Sequence, residues 1–359
     1  MQYGRNVFSG VPKHALDEAF EAFQRMDVDA NVQLIEEGEV DPTVVVVDTG
    51  ELAISTGGTL LGRASMGDVI GEIALFGNGV RSASVTSAVP SRLWVLDRDG
   101  YNWLRARHNP VATALEEYAL HYLTDRLRSV GTRIASIAEG EEADAVTPDP
   151  GFFDKMASAL GSGGIVHPGR LDAVGALRNS RLFQGVTDDV LAKVAEHLHA
   201  GAARKGHFLC TEGLSGDEMF ILVSGSVDVI VATQTGRMER LATLKAGDAF
   251  GMCALLQTGQ VRMASCVARE RTAFLALDRM TFAELVPRND FVGSVFRVAM
   301  IRALARQLPY ANAQLGELDA HRALHDTKDA KYDAVMRAAA ALEANGEYLS
   351  DEDGGVTYY

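Results

Sequence analysis

The chain repeats itself, and this repeat limits most strongly the folds that are open to it. The segment Phe8–Val11 recurs as Phe183–Val186, and shorter motifs recur after it in the same order. These further pairs are Glu37-Gly38 with Glu212-Gly213, Gly50 with Gly225, Gly67-Asp68 with Gly247-Asp248, Arg81 with Arg262, and Leu96-Asp97-Arg98 with Leu277-Asp278-Arg279. Because the spacing between partners drifts only slightly over a whole copy, the pattern indicates the duplication of one domain rather than an array of short repeats.

Each copy has the pattern of a small β-barrel followed by a long helix. Short apolar runs bounded by Gly and Asp predict strands at 44–48, 52–55 and 92–96, and again at 220–223, 227–231 and 273–277. Helical spacing of apolar residues predicts long helices from Pro110 to about Ile137 and from Phe291 to Leu308, where Pro309 is expected to end the second. The predicted fold is mainly β with flanking helices (α+β). It comprises two tandem jelly-roll-like barrels, each followed by a long helix, and a C-terminal helical tail.

The repeat also sets the expected domain boundaries. They are 1–137 for the first domain, 138–176 for a linker, 177–310 for the second domain and 311–359 for an acidic helical tail. The linker is rich in Gly, Pro and acidic residues and is expected to hold one short helix at 152–160. In the tail, a narrow apolar stripe from Ala330 to Leu342 predicts a helix that either packs on its own protein or docks on a partner.

Composition excludes several classes of function. The chain has 47% hydrophobic and 23% charged residues and a formal net charge of −14, which disfavours binding to nucleic acids or anionic membranes. No apolar run is long enough to span a bilayer, and the N-terminus has no signal-peptide core. The three cysteines are odd in number and lack metal-like spacing, so reduced thiols in a cytoplasmic protein are expected.

One segment, 71–84, carries the chemistry of a ligand site. The guanidinium of Arg81 offers a planar fork of donors that matches a phosphate. The stretch Gly71–Ala74 is expected to open a short helix, whose free N–H groups also favour phosphate. Glu72 accepts hydrogen bonds when ionised and therefore suits a sugar hydroxyl. Together these residues predict a pocket for a ribose phosphate.

This segment closely resembles the phosphate-binding cassette of cyclic nucleotide-binding domains, the family of the catabolite activator protein and of kinase regulatory subunits. The family pattern is Gly-Glu-Leu-Ala-Leu, a short loop, and then Arg-x-Ala-Ser/Thr. The resemblance implies that Glu72 holds the ribose 2′-OH and Arg81 the cyclic phosphate, with Ser82 adding a hydroxyl. The other residues implied at the ligand are Gly71, Ile73, Ala74 and Ala83. The ligand is then cAMP or cGMP, with no other cofactor, and only the bacterial look of the chain favours cAMP.

In this family the base is covered from the helix that follows the barrel or from a neighbouring domain. Tyr118 and Tyr122 lie on that helix in the first copy, and either ring can stack on a purine. The alternative is that both rings belong to the packing of the helix itself.

The second cassette departs from the family pattern. Gly251 and Arg262 are in place, but Met252 stands where the family has Glu, and Met263 replaces the hydroxyl of Ser82. A buried ribose hydroxyl left without an acceptor costs about 1–3 kcal/mol. We therefore expect a second site, formed by Gly251, Arg262, Met263 and Ala264, that is weak, altered in specificity or empty. The alternative is that Arg262 holds another anion or pairs with a carboxylate.

These observations predict a cyclic nucleotide sensor that signals to a protein partner, with a ligand-independent scaffold that keeps the barrel fold as the alternative. From Gly316 to Tyr359 there are ten acidic and four basic residues and no helix-turn-helix pattern, so a DNA-binding domain is not expected. No Arg-Arg-x-Ser-like segment precedes the first domain, so kinase inhibition by that route is not expected. The sequence leaves the oligomeric state open, including a homo-oligomer.

No catalytic or metal site is predicted, and the chain is not expected to be an enzyme. His321 and His325 have the spacing of a helical metal pair, but no second pair supports them, and a solvated helix face is preferred. Neither they nor His197 and His199 are expected on barrel strands, where a metalloenzyme of this shape would place its ligands.

Overall fold

The computed structural model describes residues 7–138, 165–166, 171–232, 238–256, 261–313 and 315–316. In the first unit, the helices are α1 (Lys13–Ala19), α2 (Glu72–Phe76), α3 (Arg98–Ala106) and α4 (Pro110–Ala138). Its strands are β1 (Gln24–Val28), β2 (Gln33–Ile35), β3 (Val44–Thr49), β4 (Glu51–Thr56), β5 (Thr59–Ser65), β6 (Val69–Ile70), β7 (Ser84–Ser87) and β8 (Ser91–Leu96).

The second unit repeats this order. Its helices are α5 (Ala173–Asn179), α6 (Asp188–Ala195), α7 (Arg279–Leu285) and α8 (291–313), with 3₁₀ turns at Arg181–Phe183 and Met252–Ala254. Its strands are β9 (Ile165–Val166), β10 (His199–Ala203), β11 (Phe208–Cys210), β12 (Glu218–Ser224), β13 (Ser226–Ala232), β14 (Met238–Lys245), β15 (Ala249–Phe250), β16 (Ser265–Ala268) and β17 (Thr272–Asp278).

Each barrel is built from two antiparallel sheets that share one apolar interior. The first barrel has the strand orders β1-β8-β3-β6 and β2-β7-β4-β5, and the second has β15-β12-β17-β10-β9 and β11-β16-β13-β14. All six predicted strand segments lie within observed strands. The prediction of two tandem barrels with flanking helices is confirmed.

The central strands are buried on both faces because helices cover one side of each barrel. In β3, Val45 and Val47 enter the barrel interior, while Val44 and Val46 join the helical core outside it. This alternation follows from the period of two along a strand and explains why the run Val44–Val47 is apolar throughout. The twin strand β12 is built in the same way.

Of the two long helices, only the second one differs from its predicted end. Helix α4 covers Pro110–Ala138, which confirms the prediction for the first copy. The expectation that Pro309 ends the second long helix is wrong, because α8 continues to residue 313. Ala311 and Leu315, beyond the proline, are only 7% and 8% exposed, so their burial offsets the hydrogen bond that Pro309 cannot donate.

A buried polar cluster joins α4 to α8 and therefore joins the two units. The Glu116 and Arg297 side chains are fully buried, with Arg297 Nε 2.7 Å from Glu116 Oε2. The hydroxyls of Tyr101 and Ser294 donate to Glu116 Oε1 at 2.6 and 2.7 Å. Arg297 also donates to backbone carbonyls at the end of α7 and beyond it. Because every partner here is satisfied, the cluster holds α4 and α8 in one defined register.

Several predicted features lie outside the described residues. They are the helix at 152–160, His321 and His325, and the tail from 317 onward with its apolar stripe. Within the range predicted as a linker, Ile165–Val166 pairs with β10, and α5 begins at Ala173. These two elements of the range therefore pack with the second unit.

Candidate functional site

Gly71 is the hinge of the first cassette. It lies between β6 and α2 in the left-handed region, with φ of 96°. A Cβ built on it would lie 2.3 Å from Arg81 Nη1 and 2.5 Å from the Thr43 carbonyl oxygen. Glycine is therefore required for two reasons, the backbone conformation and the close approach of the guanidinium. The short helix predicted from Gly71 onward is present as α2.

Arg81 is buried behind this hinge and only partly satisfied. Its side chain donates from Nη1 to the Thr43 carbonyl at 2.8 Å and from Nη2 to Asp41 Oδ2 at 2.5 Å. The residue is 3% exposed, and its buried Nε has no hydrogen-bond partner among the described residues. A buried donor without an acceptor costs about 1–3 kcal/mol. The guanidinium is therefore held in place with its Nε–H available for an anion.

Glu72 is the acidic group of the site. It is 6% exposed, at the start of α2. Burial raises the pKa of its carboxyl from 4.5 to about 7, although the backbone N–H groups of Glu72 and Gly71 and the charges of Arg81 and Arg126 oppose the rise. Near neutral pH the group therefore changes between a donor and an acceptor. Only its ionised form accepts from a hydroxyl with both oxygens.

The remaining cassette residues differ in exposure. Ala74 is buried, Ile73 and Ala83 are half-buried, and Ser82 is exposed. The carbonyl of Ala74 accepts from Arg98 Nη2 at 2.9 Å, which ties the end of α2 to the start of α3. The structure thus brings Gly71, Glu72 and Arg81 into direct proximity and leaves the Ser82 residue open to solvent.

The two tyrosines lie on α4 with parallel rings, 6.1 Å apart between centroids. The Val69 N–H donates to the Tyr118 hydroxyl at 3.4 Å, so this ring packs against the strand that leads into the cassette. Burial raises the pKa of the Tyr118 phenol, and the nearby Glu72 carboxyl adds to the rise. Tyr118 is therefore close to the cassette. Both rings also pack against the helical core, as the alternative interpretation expects.

The second cassette keeps the hinge and the arginine but changes their surroundings. Gly251 has φ of 89°, and Arg262 is 7% exposed. Arg262 donates from Nη1 to the Gly251 carbonyl at 2.8 Å and from Nη2 to the Glu218 carbonyl at 2.6 Å. Met252, in the position of Glu72, is 1% exposed and is part of the apolar core. A packed thioether thus lies where the first cassette has the Glu72 carboxyl.

Sequence reasoning missed the residues that surround Arg81. Asp41 and Thr43 contact it from the segment before β3. The charge of Arg126 on α4 acts to lower the pKa of Glu72, against the effect of burial. Asp41 and Thr43 precede the apolar run Val44–Val47, and polar residues before a strand are typical of any turn. Nothing in their local pattern distinguishes them, because only the folded barrel brings them to residue 81.

The expectation that His199 lies off the barrel strands is wrong, because it begins β10. Its Nε2 lies 3.0 Å from Glu218 Oε1 at a partly exposed position, so a hydrogen bond between the two side chains lies at the start of the strand. In the described ranges, no group of three or more His, Cys, Asp or Glu side chains has the arrangement of a metal site. No helix of the described part of the chain is both long and apolar enough to cross a bilayer.

Comparison with known proteins agrees with this geometry. The family described as "Cyclic nucleotide-binding domain" matches residues 25–108 and 202–289, one segment in each barrel. The chain carries two cyclic nucleotide-binding domains in tandem. Proteins with such domains are the class that the fold and the two matched segments indicate.

Among its relatives are kinases. The chain is 26% identical over 276 residues to a cGMP-dependent protein kinase of Caenorhabditis elegans, covering 76% of this chain and 28% of the kinase. It is 26% identical over 255 residues to human cGMP-dependent protein kinase 2, covering 70% of this chain and 26% of the kinase. The chain therefore spans about a quarter of the length of these relatives.

Two solved structures are also similar. The regulatory domain of Toxoplasma gondii PKA, crystallised with cAMP, is 22% identical; the match covers 79% of this chain and 88% of that chain, with a TM-score of 0.30. The regulatory subunit of a cAMP-independent protein kinase A from Trypanosoma brucei is 19% identical; the match covers 86% and 91% of the two chains, with a TM-score of 0.34.

Proposed function

We propose that the first barrel binds a purine cyclic nucleotide and that the chain is a cytoplasmic regulatory protein, not a catalyst, that passes its bound state to a protein partner. The observation that carries this proposal is the unpartnered, buried Nε of Arg81 beside Glu72. A cyclic phosphate supplies an acceptor to that N–H, and a ribose hydroxyl supplies a donor to the carboxylate. Both ends of one small ligand are thereby satisfied.

The choice between cAMP and cGMP concerns the base and is separate from the contacts to phosphate and ribose. The preference for cAMP depends on the bacterial look of the chain, whereas the kinases named above are eukaryotic and are named for cGMP. We keep cAMP as the expected ligand and treat cGMP as its direct competitor in the test. Tyr118, whose hydroxyl accepts a hydrogen bond from Val69 just before the cassette, is the proposed cover for the base.

In this proposal, helix α4 transmits the change on ligand binding from the first cassette to the second unit. Its Tyr118 packs against β6, and the positive charge of its Arg126 favours the ionised form of Glu72. A ligand that orders the cassette therefore acts on this helix. The same helix is held to α8 by Glu116 and Arg297. A movement of α4 must therefore carry the second unit with it or break a buried ion pair. Ligand binding shifts this equilibrium only if its contacts are better in one of the two arrangements.

The test is calorimetric titration of the chain with cAMP and, separately, with cGMP. Arg81→Lys keeps a positive charge but removes the fork and Nε, and Arg262→Lys is the matched change in the second barrel. We expect one high-affinity site per chain that is lost in Arg81→Lys and kept in Arg262→Lys. Equal affinity of wild-type protein and Arg81→Lys would refute the site assignment.

A second candidate has its own support. Two of the three nitrogens of the Arg81 guanidinium already have acceptors inside the protein, and Asp41 neutralises its charge. This arrangement also suits a scaffold that has kept the barrel without its ligand. The absence of binding by either nucleotide in the titration, with both barrels folded, would select the scaffold.

A further inference from the structure

The second barrel contains a cavity that the cyclic nucleotide proposal does not use. It has a volume of about 110 Å³ and extends from the second cassette into the barrel interior. Its walls come from three parts of the chain. The cassette contributes residues that include Met252 and Met263, the barrel contributes residues that include Val229 and Leu244, and the helices α4 and α8 contribute two residues each.

Helix α4 of the first unit forms one wall of this cavity. Leu127 and Gly131 line it, and Arg128 Nη2 donates to the Cys253 carbonyl at 3.4 Å. Gln307 and Ala311 of α8 line it from another side. The cavity is thus completed by a helix from the other half of the chain. An occupant as large as a nucleotide would have to displace that helix.

The chemistry of the lining differs from that of a nucleotide site. Apart from Arg262 and Gln307, the lining side chains are apolar, and the amide of Gln307 already donates to the Ala249 carbonyl at 2.7 Å. No carboxylate lines the described cavity. The hydroxyls of a ribose would lose water here without gaining a carboxylate acceptor like that of Glu72, which disfavours a sugar. An apolar body is favoured instead.

Among the described residues that line the cavity, Arg262 is the charged one. It is more than nine-tenths buried, and its hydrogen bonds go to the neutral carbonyls of Gly251 and Glu218. Among the described residues no carboxylate lies within ion-pair distance of it, and the side chain of Glu218 lies 3.0 Å from His199 Nε2 instead. Arg81, by contrast, is paired with Asp41. A buried charge without a counter-charge is costly, so this cavity favours an anion.

We propose that the second barrel binds a small apolar monoanion, of the size of a single-ring carboxylate, with its charge on Arg262 and its body between Met252, Met263 and α4. Benzene occupies a dry apolar cavity of roughly 150 Å³, so a volume of about 110 Å³ holds no more than a single ring, with the carboxylate placed at Arg262 on the wall of the cavity. The inference goes beyond the function proposed for the first barrel and does not depend on it.

The test uses 4-fluorobenzoate as the probe and its neutral analogue 4-fluorobenzamide as the control. Binding is followed on the full chain by ¹⁹F NMR of the probe and by ¹³C-methyl NMR of the methionines. Substituting Met252 and Met263 by Leu, one at a time, assigns their signals. We expect saturable binding of the carboxylate at one site, with both signals shifting, and at least about tenfold weaker binding of the amide.

Two variants locate the site. Arg262→Met removes the charge at similar length. Gly131 lines the cavity, and an added Cβ there meets no other group within 4 Å, so Gly131→Leu introduces an apolar side chain into the cavity from the α4 side. Thr132→Leu, at the neighbouring exposed position, is its matched control. We expect both site variants to lose at least about tenfold in affinity for 4-fluorobenzoate and the control to keep it.

Three outcomes would overturn the inference. They are the absence of saturable binding of 4-fluorobenzoate, equal binding in Gly131→Leu, and shifts of the Met252 and Met263 signals on addition of cAMP or cGMP instead. Failure of the first-barrel proposal would be seen separately, because neither cyclic nucleotide would bind while 4-fluorobenzoate would still bind the second barrel.

Discussion

Replacing Glu72 by Gln removes the buried group that titrates near neutral pH in the first cassette, and it should change how the stability of the first barrel depends on pH. Burial raises the pKa of this carboxyl from 4.5 in the unfolded chain to about 7 in the folded barrel. Below pH 4.5 it is protonated in both states and costs nothing. Between pH 4.5 and 7 the unfolded chain releases the proton while the folded barrel keeps it, so the free energy of unfolding falls as the pH rises.

The size of the effect follows from that interval. At about 1.4 kcal/mol per pH unit, ionising Glu72 costs the folded barrel about 3 kcal/mol by pH 8. The side chain is buried, so solvent does not reduce this cost much. Gln does not titrate. The free energy of unfolding of Glu72→Gln, minus that of the wild type, should therefore increase by about 3 kcal/mol between pH 4.5 and pH 8, whatever constant offset the amide introduces.

Urea unfolding followed by tryptophan fluorescence measures this directly. The two tryptophans of the chain, Trp94 and Trp103, are both in the first unit, so the signal reports that unit. Met252→Gln is the matched control at the twin position and should show no change with pH relative to the wild type. Parallel pH curves for wild type and Glu72→Gln would show that the carboxyl titrates normally and would refute the reasoning.

The remaining predictions concern the groups around it. Asp41→Asn removes a partly exposed counter-charge from Arg81, an interaction worth about 1 kcal/mol. The variant should therefore bind the cyclic nucleotide about fivefold more tightly in calorimetric titration. Weaker binding would mean that Asp41 orients the guanidinium. Glu116→Leu leaves Arg297 buried without its partner and should lower the free energy of unfolding by about 3–5 kcal/mol, and adding Arg297→Met should recover most of it, as measured by chemical denaturation. A double variant no more stable than Glu116→Leu would contradict this account. Gly71→Ala places a Cβ 2.3 Å from Arg81 Nη1 and should abolish nucleotide binding, whereas Gly58→Ala imposes similar backbone strain in open space and should leave binding unchanged; nucleotide titration of the two variants distinguishes the clash from the strain.

Local patterns were sufficient for most of the architecture. The apolar runs at 44–48 and 220–223 predict strands because their β-branched and aromatic residues suit a sheet, and both lie in observed strands. The register of the repeat predicts that the second barrel copies the first, which it does. Local reasoning was wrong at Pro309, because the burial of Ala311 and Leu315 is a tertiary term that a local rule for proline omits. It was also wrong at His199, because the residues next to it in the chain gave no sign that a strand begins there.

The candidate site divides in the same way. Gly71, Glu72 and Arg81 are near one another in the chain, and the chemistry of their side chains is readable from their order. The partners of Arg81 are not, because Asp41 and Thr43 reach it only when β3 and the cassette become neighbours in the barrel. The interpretation of the second copy as weak or altered stays a prediction for nucleotides, while its cavity adds a feature that no pattern indicated.

By itself, the sequence determined the duplicated barrel-and-helix plan and the position of each cassette, because both depend on residue types at short spacing along the chain. Only the tertiary structure decided how these parts work on one another. It buried Glu72 enough to raise its pKa, left the Nε of Arg81 without a partner among the described residues, joined the two units through Glu116 and Arg297, and made α4 a wall of the second cavity. Desolvation and long-range contacts produce these properties, and neither exists until the distant segments pack together.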